Sequence, residues 1–187
     1  MRKNILISTG GSGGHVIPAT ILKDHLSKTN EVIISTDKRG FKYLDVSKYK
    51  EAEIIDTPRI KNIFLFPFNL VRILFLSIKS FYLLKNKNID RIISTGGYMS
   101  LPLILAARLL KLKIYLFEPN LILGRANKFF LNSCEKIICY TSEIKNFPKN
   151  LKNKIEIIAP LVRKEFYNKE NKNFTKKKFN ILVIGGS

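Results

Sequence analysis

The chain has 187 residues, 45% of them hydrophobic, with 33 Lys and Arg against 14 Asp and Glu, a formal net charge of +19. That hydrophobic share excludes wholesale disorder, and the length suits one domain, or one domain and the start of another. The charge favours a polyanionic partner (an anionic membrane surface, an acidic ligand or nucleic acid), although the abundance of Lys, Asn and Ile is also what an AT-rich coding sequence produces without selection for charge.

Lys3-Asn4-Ile5-Leu6-Ile7-Ser8 is an apolar run of strand length. Thr9-Gly10-Gly11-Ser12-Gly13-Gly14-His15 follows, and Val16 to Leu22 then reads as a helix with Pro18 in its first turn. Strand, glycine-rich turn and helix aim backbone N–H groups and a positive helix end at a phosphate. The spacing matches neither the dinucleotide fingerprint nor the P-loop. A tight turn without a ligand is the plain alternative, made less attractive by a His at the helix entrance. Met1-Arg2-Lys3 leads straight into a strand rather than a signal peptide, so a cytoplasmic location is expected.

The first helix runs to about Lys28, with His25 on its solvated side, and Glu31–Thr36 and Glu53–Asp56 read as the second and third strands. The segment from Arg59 to Lys87 is unusually apolar, but Pro67, Arg72 and Lys79 interrupt it. A charge at the centre of a spanning helix costs about 2.5–3.5 kcal/mol even on the lenient insertion scale, so spanning is not expected. Arg72 and Lys79, seven residues apart, share one helix face, and Arg59, Lys61, Lys85 and Lys87 flank the segment. A basic-edged apolar helix suits the membrane interface; packing on a sheet is the bland alternative, and both can hold at once.

Asp90–Ser94 is the fourth strand, followed by a second glycine-rich turn, Thr95-Gly96-Gly97-Tyr98-Met99-Ser100, and a helix over Leu103–Lys111. Strand Lys113–Phe117 ends in Glu118-Pro119-Asn120, Gly124-Arg125-Ala126-Asn127-Lys128 opens another helix, and strands Lys136–Tyr140 and Ile155–Ile158 follow. Alternating strands and helices predict an α/β fold, a Rossmann-like, doubly wound parallel sheet. Ligands bind such sheets beyond the C-terminal strand ends, which places Ser12–His15, Gly96–Ser100 and Glu118–Asn120 on one rim. Cys134 and Cys139 match no metal or redox spacing and read as small core residues.

From Arg163 to Lys178 the sequence is charged and aperiodic, a linker by composition, and Phe179 to Ser187 reads as another strand ending in Gly185-Gly186-Ser187. The expected organisation is therefore a domain over 1–162, a linker over 163–178, and the first strand of a second domain over 179–187.

The sequence resembles the N-terminal half of the MurG family of bacterial glycosyltransferases, through Gly10-Gly11-Ser12-Gly13-Gly14-His15, Gly96-Gly97-Tyr98-Met99-Ser100, Glu118-Pro119-Asn120, Asn127-Lys128, Leu161-Val162-Arg163 and Gly185-Gly186-Ser187. The resemblance implies the N-terminal domain of a GT-B enzyme that transfers N-acetylglucosamine from UDP-GlcNAc to lipid I, with inversion, to give lipid II in peptidoglycan synthesis. This chain would supply the acceptor half, peripheral to the cytoplasmic face of the inner membrane. Carried over by position, Ser12, Gly13, Gly14, Asn120, Arg163 and Ser187 would touch the donor. Gly10, Gly11, Gly96, Gly97, Tyr98 and Asn127 would form the acceptor and diphosphate loops. Ile63, Phe64, Phe66, Phe68, Arg72, Phe75 and Lys79 would face the membrane. His15 and Glu118 match positions on which the family depends.

The chain departs from the family where His-Glu-Gln-Asn becomes Phe117-Glu118-Pro119-Asn120, where the Asn before Val-Arg is lost, and in the absence of the second domain. The reaction needs a base for the attacking hydroxyl and stabilisation of the departing diphosphate. His15 is the base candidate by residue type, and Glu118 is its rival. With no Asp-x-Asp triplet, neither a metal nor a cofactor is expected, and backbone N–H groups, helix ends and Arg163 would carry the phosphates. The expected partners are lipid I, an anionic membrane surface, and a second domain or a separate donor subunit, but not nucleic acid. The alternative is a non-catalytic, membrane-docked acceptor-binding subunit of a two-subunit transferase.

Overall fold

The computed structural model describes residues 2–58 and 66–163, and of Phe66 only the backbone. The expected linker beyond Arg163, the strand at 179–187 with Ser187, and the flanking Arg59, Lys61, Ile63 and Phe64 lie outside the described residues.

Among the described residues, seven parallel strands, β1 (Asn4–Ser8), β2 (Glu31–Thr36), β3 (Glu53–Ile54), β4 (Arg91–Ser94), β5 (Lys113–Glu118), β6 (Lys136–Cys139) and β7 (Ile155–Ile157), form one sheet in the order β3-β2-β1-β4-β5-β6-β7. Helices α1 (Gly13–Leu26), α2 (Lys38–Phe41), α3 (Phe66–Asn86), α4 (Leu101–Leu109) and α5 (Arg125–Phe130) lie between them. This is the expected Rossmann-like arrangement. The chain winds outward from β1 to β3, then α3 returns it to β4 on the other side of β1. The crevice between the β1 and β4 ends is the topological switch point, where such sheets bind ligands.

Alternation along β1 sets the two cores. Ile5 and Ile7 pack under α1 with Val16, Ala19, Ile34 and Phe117, while Leu6 points to the opposite layer with Leu84, Ile92, Leu103 and Ile104. Both faces are thus buried, which is why the strands read as near-continuous apolar runs.

β1 and β4 share the ending Ser-Thr-Gly-Gly, and their serines stand in register, Ser8 beside Ser94. The Thr95 hydroxyl donates to the Thr9 hydroxyl at 2.8 Å and the Thr95 N–H to the Ser8 carbonyl at 3.0 Å, joining the two glycine turns at their bases.

Helix α1 begins earlier than its proline suggests. Ser12 is its N-cap, so Pro18 lies in the second turn, not the first. Proline there removes the bond to the Gly14 carbonyl. Gly14 is exposed, so water can take that acceptor. The four-residue α2 was not expected from the sequence; its Gly40 packs so closely on the first glycine turn that a Cβ there would stand 2.5 Å from the Gly10 Cα.

Candidate functional site

Beyond the C-terminal ends of β1, β4 and β5 lies a cavity of about 590 Å³. His15, Gly96, Gly97 and Tyr98 line one side, and Glu118, Asn120, Gly124 and Asn127 the other; Leu101 and Phe130 add apolar surface. Of the residues expected on one rim, His15, Gly96, Gly97, Tyr98, Glu118 and Asn120 share this space, whereas Ser12, Gly13, Gly14, Met99 and Ser100 do not line it.

Gly10, Gly11, Gly96 and Gly97 all adopt positive φ, which side chains rarely tolerate. At Gly96 the absence of a Cβ also matters for packing, because one would lie 3.3 Å from His15 Cε1. His15 occupies the first turn of α1, and its Nδ1 stands 2.6 Å from the Thr95 carbonyl oxygen. A carbonyl only accepts, so Nδ1 carries the proton and donates. In the neutral ring Nε2 is then the acceptor, on a side chain that borders the cavity.

Glu118 is 3% exposed. Its carboxylate accepts from the Asn120 N–H (3.3 Å) and Asn120 Nδ2 (2.9 Å) through Oε1, and from the Gly124 N–H (2.7 Å) and Asn127 Nδ2 (3.0 Å) through Oε2. Four donors saturate the group and fold the 118–127 loop around it. Pro119 does not disturb this arrangement, because the N–H groups it uses belong to Asn120 and Gly124. Asn127 also donates to the Phe117 carbonyl at 3.1 Å, and among the described residues its buried Oδ1 has no hydrogen-bond partner.

A second buried carboxylate is not marked by any motif in the sequence. Asp37, 1% exposed, follows β2 and accepts from the N–H groups of Gly11 and Gly40, each at 2.8 Å, and from Arg39 at 2.7 Å. Burial raises its pKa, but the two amide donors and Arg39 outweigh that and hold it below the ordinary aspartate value. Arg39 in turn donates to the Tyr98 hydroxyl. Arg125 and Phe129, also missed, lie at the cavity's edge on α5; only tertiary placement marks them.

Ser12, Gly13 and Gly14 form the N-terminal turn of α1 next to His15, with no acidic residue in that turn. Arg163 is placed elsewhere: it lines a separate groove of about 820 Å³ along α1 with Ile17, Thr20, Asp24 and Tyr43. Among the described residues, no three His, Cys, Asp or Glu side chains stand together as a metal-holding group.

Helix α3 is two-faced. Asn69, Ile73, Ser77, Ser80 and Leu84 are buried, whereas Phe68, Val71, Phe75, Ile78 and Tyr82, spaced three and four apart on the opposite side, are exposed, Phe75 at 67%. Arg72 and Lys79 are exposed along one border of that apolar stripe. By length and composition alone, Pro67–Asn86 could cross a membrane.

The glycosyltransferase family 28 N-terminal domain matches residues 5–139. Over its whole length the chain is 51% identical to a protein of Pelagibacter ubique (strain HTCC1062) named UDP-N-acetylglucosamine–N-acetylmuramyl-(pentapeptide) pyrophosphoryl-undecaprenol N-acetylglucosamine transferase, covering 52% of that protein. A protein of the same name from Rickettsia felis (strain ATCC VR-1525 / URRWXCal2) is 34% identical over 99% of the chain, which covers 53% of it. The chain therefore spans about half the length of the curated relatives it matches. In fold it is similar to the crystal structure of Acinetobacter baumannii MurG, with a TM-score of 0.75 at 23% identity, over 98% of this chain and 52% of that one.

Proposed function

The chain belongs to the glycosyltransferase family 28 N-terminal domain family, and from that premise we propose that it is the acceptor half of an N-acetylglucosaminyltransferase acting, like the proteins its relatives are named as, on N-acetylmuramyl-(pentapeptide) pyrophosphoryl-undecaprenol (lipid I). The 4-hydroxyl of the muramoyl sugar attacks the anomeric carbon of UDP-GlcNAc. The new C–O bond forms as the bond to UDP breaks, the anomeric centre inverts, the hydroxyl proton passes to a base, and UDP leaves as the diphosphate.

His15 is that base. The observation that carries this assignment is the His15 Nδ1 to Thr95 contact of 2.6 Å, which fixes the tautomer and leaves Nε2 to take a proton. Glu118 fits a positioning role better than a base, since four donors already occupy its oxygens. No metal or cofactor enters this reading. Backbone N–H groups at the start of α1, unopposed by any acidic side chain in that turn, suit a diphosphate. In this reading Ser12, Gly13, Gly14 and Asn120 contribute to the donor contact, and Arg163, which lines the separate groove along α1, contributes less directly. Most of the donor site belongs to a second half.

The exposed stripe of α3 is the membrane contact, peripheral on the cytoplasmic face of the inner membrane. Its packed side carries buried Asn69, Ser77 and Ser80, as suits a helix that lies on the protein rather than one that crosses lipid. Each cation near an anionic leaflet contributes about 1 kcal/mol, which is the use this reading finds for Arg72 and Lys79.

The test is a transfer assay with UDP-GlcNAc and a short-chain lipid I analogue, run on this chain and on the chain joined to the second half of its Pelagibacter relative. Transfer by the joined protein alone supports the reading. Failure of both, with the analogue still bound, favours a binding subunit that needs a separate donor partner.

A further inference from the structure

The turn after β2 reaches across the switch point. Asp37 holds the first glycine turn through the Gly11 N–H and the start of α2 through the Gly40 N–H, and it anchors Arg39 in an ion pair of 2.7 Å. Arg39, one-third exposed, spends its other contact on the far side of β1, where it donates to the Tyr98 hydroxyl with its guanidinium carbon 5.4 Å from the ring centroid. Two glycines of positive φ flank this span. Gly11 has φ +80°, and a Cβ there would lie 3.8 Å from Arg39 Nη2 and 3.0 Å from Met99 Cε; Gly97, with φ +87°, precedes Tyr98. Tyr98 itself is a wall of the cavity that His15 and Glu118 share.

We infer that Arg39 is a positioning residue for the acceptor: by joining Asp37 to Tyr98 over the end of β1, it fixes the Tyr98 wall of the cavity against the first glycine turn. The inference rests on the reading of this cavity as the acceptor site. Three observations carry it. The carboxylate behind Arg39 is buried and held by two backbone amides, so the anchor is rigid. Both bonds leave one terminal nitrogen, Nη2, which the planar guanidinium holds beside the Tyr98 ring, a placement that the compact head and flexible stem of lysine do not reproduce. The tyrosine opens the short 3-10 turn Tyr98–Ser100 directly after two glycines of positive φ, and its ring centroid is 5.4 Å from the Arg39 guanidinium carbon.

The experiment is steady-state kinetics on the joined protein described above, comparing wild type with Arg39→Lys, Tyr98→Phe and the double variant. Lysine keeps a cation beside Asp37 and so spares the fold, and phenylalanine keeps the ring but removes the hydroxyl. Arg39→Lys and Tyr98→Phe are each expected to raise the KM for the lipid I analogue about tenfold, the scale of one charge-assisted hydrogen bond. The KM for UDP-GlcNAc and kcat stay put, and the double variant is no worse than the poorer single. Multiplying effects, an equal rise in donor KM, or a lowered melting temperature with acceptor KM unchanged would each overturn the inference. If wild type neither transfers to nor binds the analogue, the acceptor-site reading itself fails, and the role of Arg39 with it.

Discussion

His15 and Thr95 are joined by a bond of 2.6 Å that ties the first turn of α1 to the end of β4 across the switch point of the sheet. It fixes one ring nitrogen by structure and leaves the other for chemistry. His15→Gln keeps an amide able to donate to the Thr95 carbonyl but removes the imidazole. In the joined protein its kcat should fall about 10²–10⁴-fold, the usual yield of a positioned base, with little change in acceptor KM. A fall of less than threefold would remove His15 from the proton transfer.

Glu118 is a different kind of residue. Replacing its carboxylate by the amide in Glu118→Gln turns one acceptor into a donor that faces N–H groups in a buried loop. Each buried donor left unsatisfied costs about 1–3 kcal/mol. Urea denaturation should therefore show a loss of that order or more, and it should appear without substrate. Unchanged stability with lost turnover would instead make Glu118 a chemical participant.

Asp37 gives the fold an acid dependence whose sign follows from its lowered pKa. Below the ordinary aspartate value the unfolded chain binds a proton before the folded one does. The stabilisation is thus present above that value and is lost as the pH falls through the folded pKa. Comparing wild type with Asp37→Asn in urea at pH 6 and at successively lower pH should show a stability gap that narrows only below about pH 4. A gap independent of pH would contradict the assignment.

Two glycines four residues or fewer from a turn should behave in opposite ways. A Cβ on Gly40 would meet Thr36 Oγ1 at 2.2 Å and the Gly10 Cα at 2.5 Å, whereas the nearest atom to a Cβ on Gly14 is Ser12 Oγ at 3.7 Å. Gly40→Ala should cost about 1–3 kcal/mol by forced displacement, and Gly14→Ala should be neutral or stabilise α1 by up to about 1 kcal/mol. Thermal melts of the two variants check this.

The membrane contact proposed for the exposed stripe of α3 is tested by vesicle binding. Phe75→Asp should weaken sedimentation with phosphatidylglycerol vesicles by about ten- to a hundredfold, since the side chain it removes is worth roughly 1.5–3 kcal/mol when buried. Lys79→Gln should weaken binding to those vesicles but not to neutral ones. Equal binding by all variants would place the membrane contact elsewhere.

The sheet was readable from sequence because parallel strands covered on both faces are written as short apolar runs, such as Ile5-Leu6-Ile7, with glycine turns or polar residues at their C-terminal ends. The shared rim followed from the same rule. What stayed hidden depends on contacts between distant segments. Asp-Lys-Arg-Gly after β2 is no motif, so only the fold reveals that Asp37 braces the first glycine turn and that Arg39 reaches Tyr98. Pro18 usually marks a first turn and so points to a later start for α1, whereas the exposed Gly14 allows the proline one turn further in. Arg163 carries the right residue type, but its place along α1 is set by how the chain leaves β7.

Ligand selectivity of this chain by itself is the most direct test of its role as an acceptor half. Fluorescence titration with a short-chain N-acetylmuramyl-pentapeptide pyrophosphoryl polyprenol, and separately with UDP-GlcNAc, would compare the two substrates on one protein. The account predicts saturable binding of the muramyl diphosphate, weakened by Tyr98→Phe, and at least tenfold weaker binding of UDP-GlcNAc, about 1.4 kcal/mol. Tighter binding of UDP-GlcNAc than of the muramyl compound would contradict it.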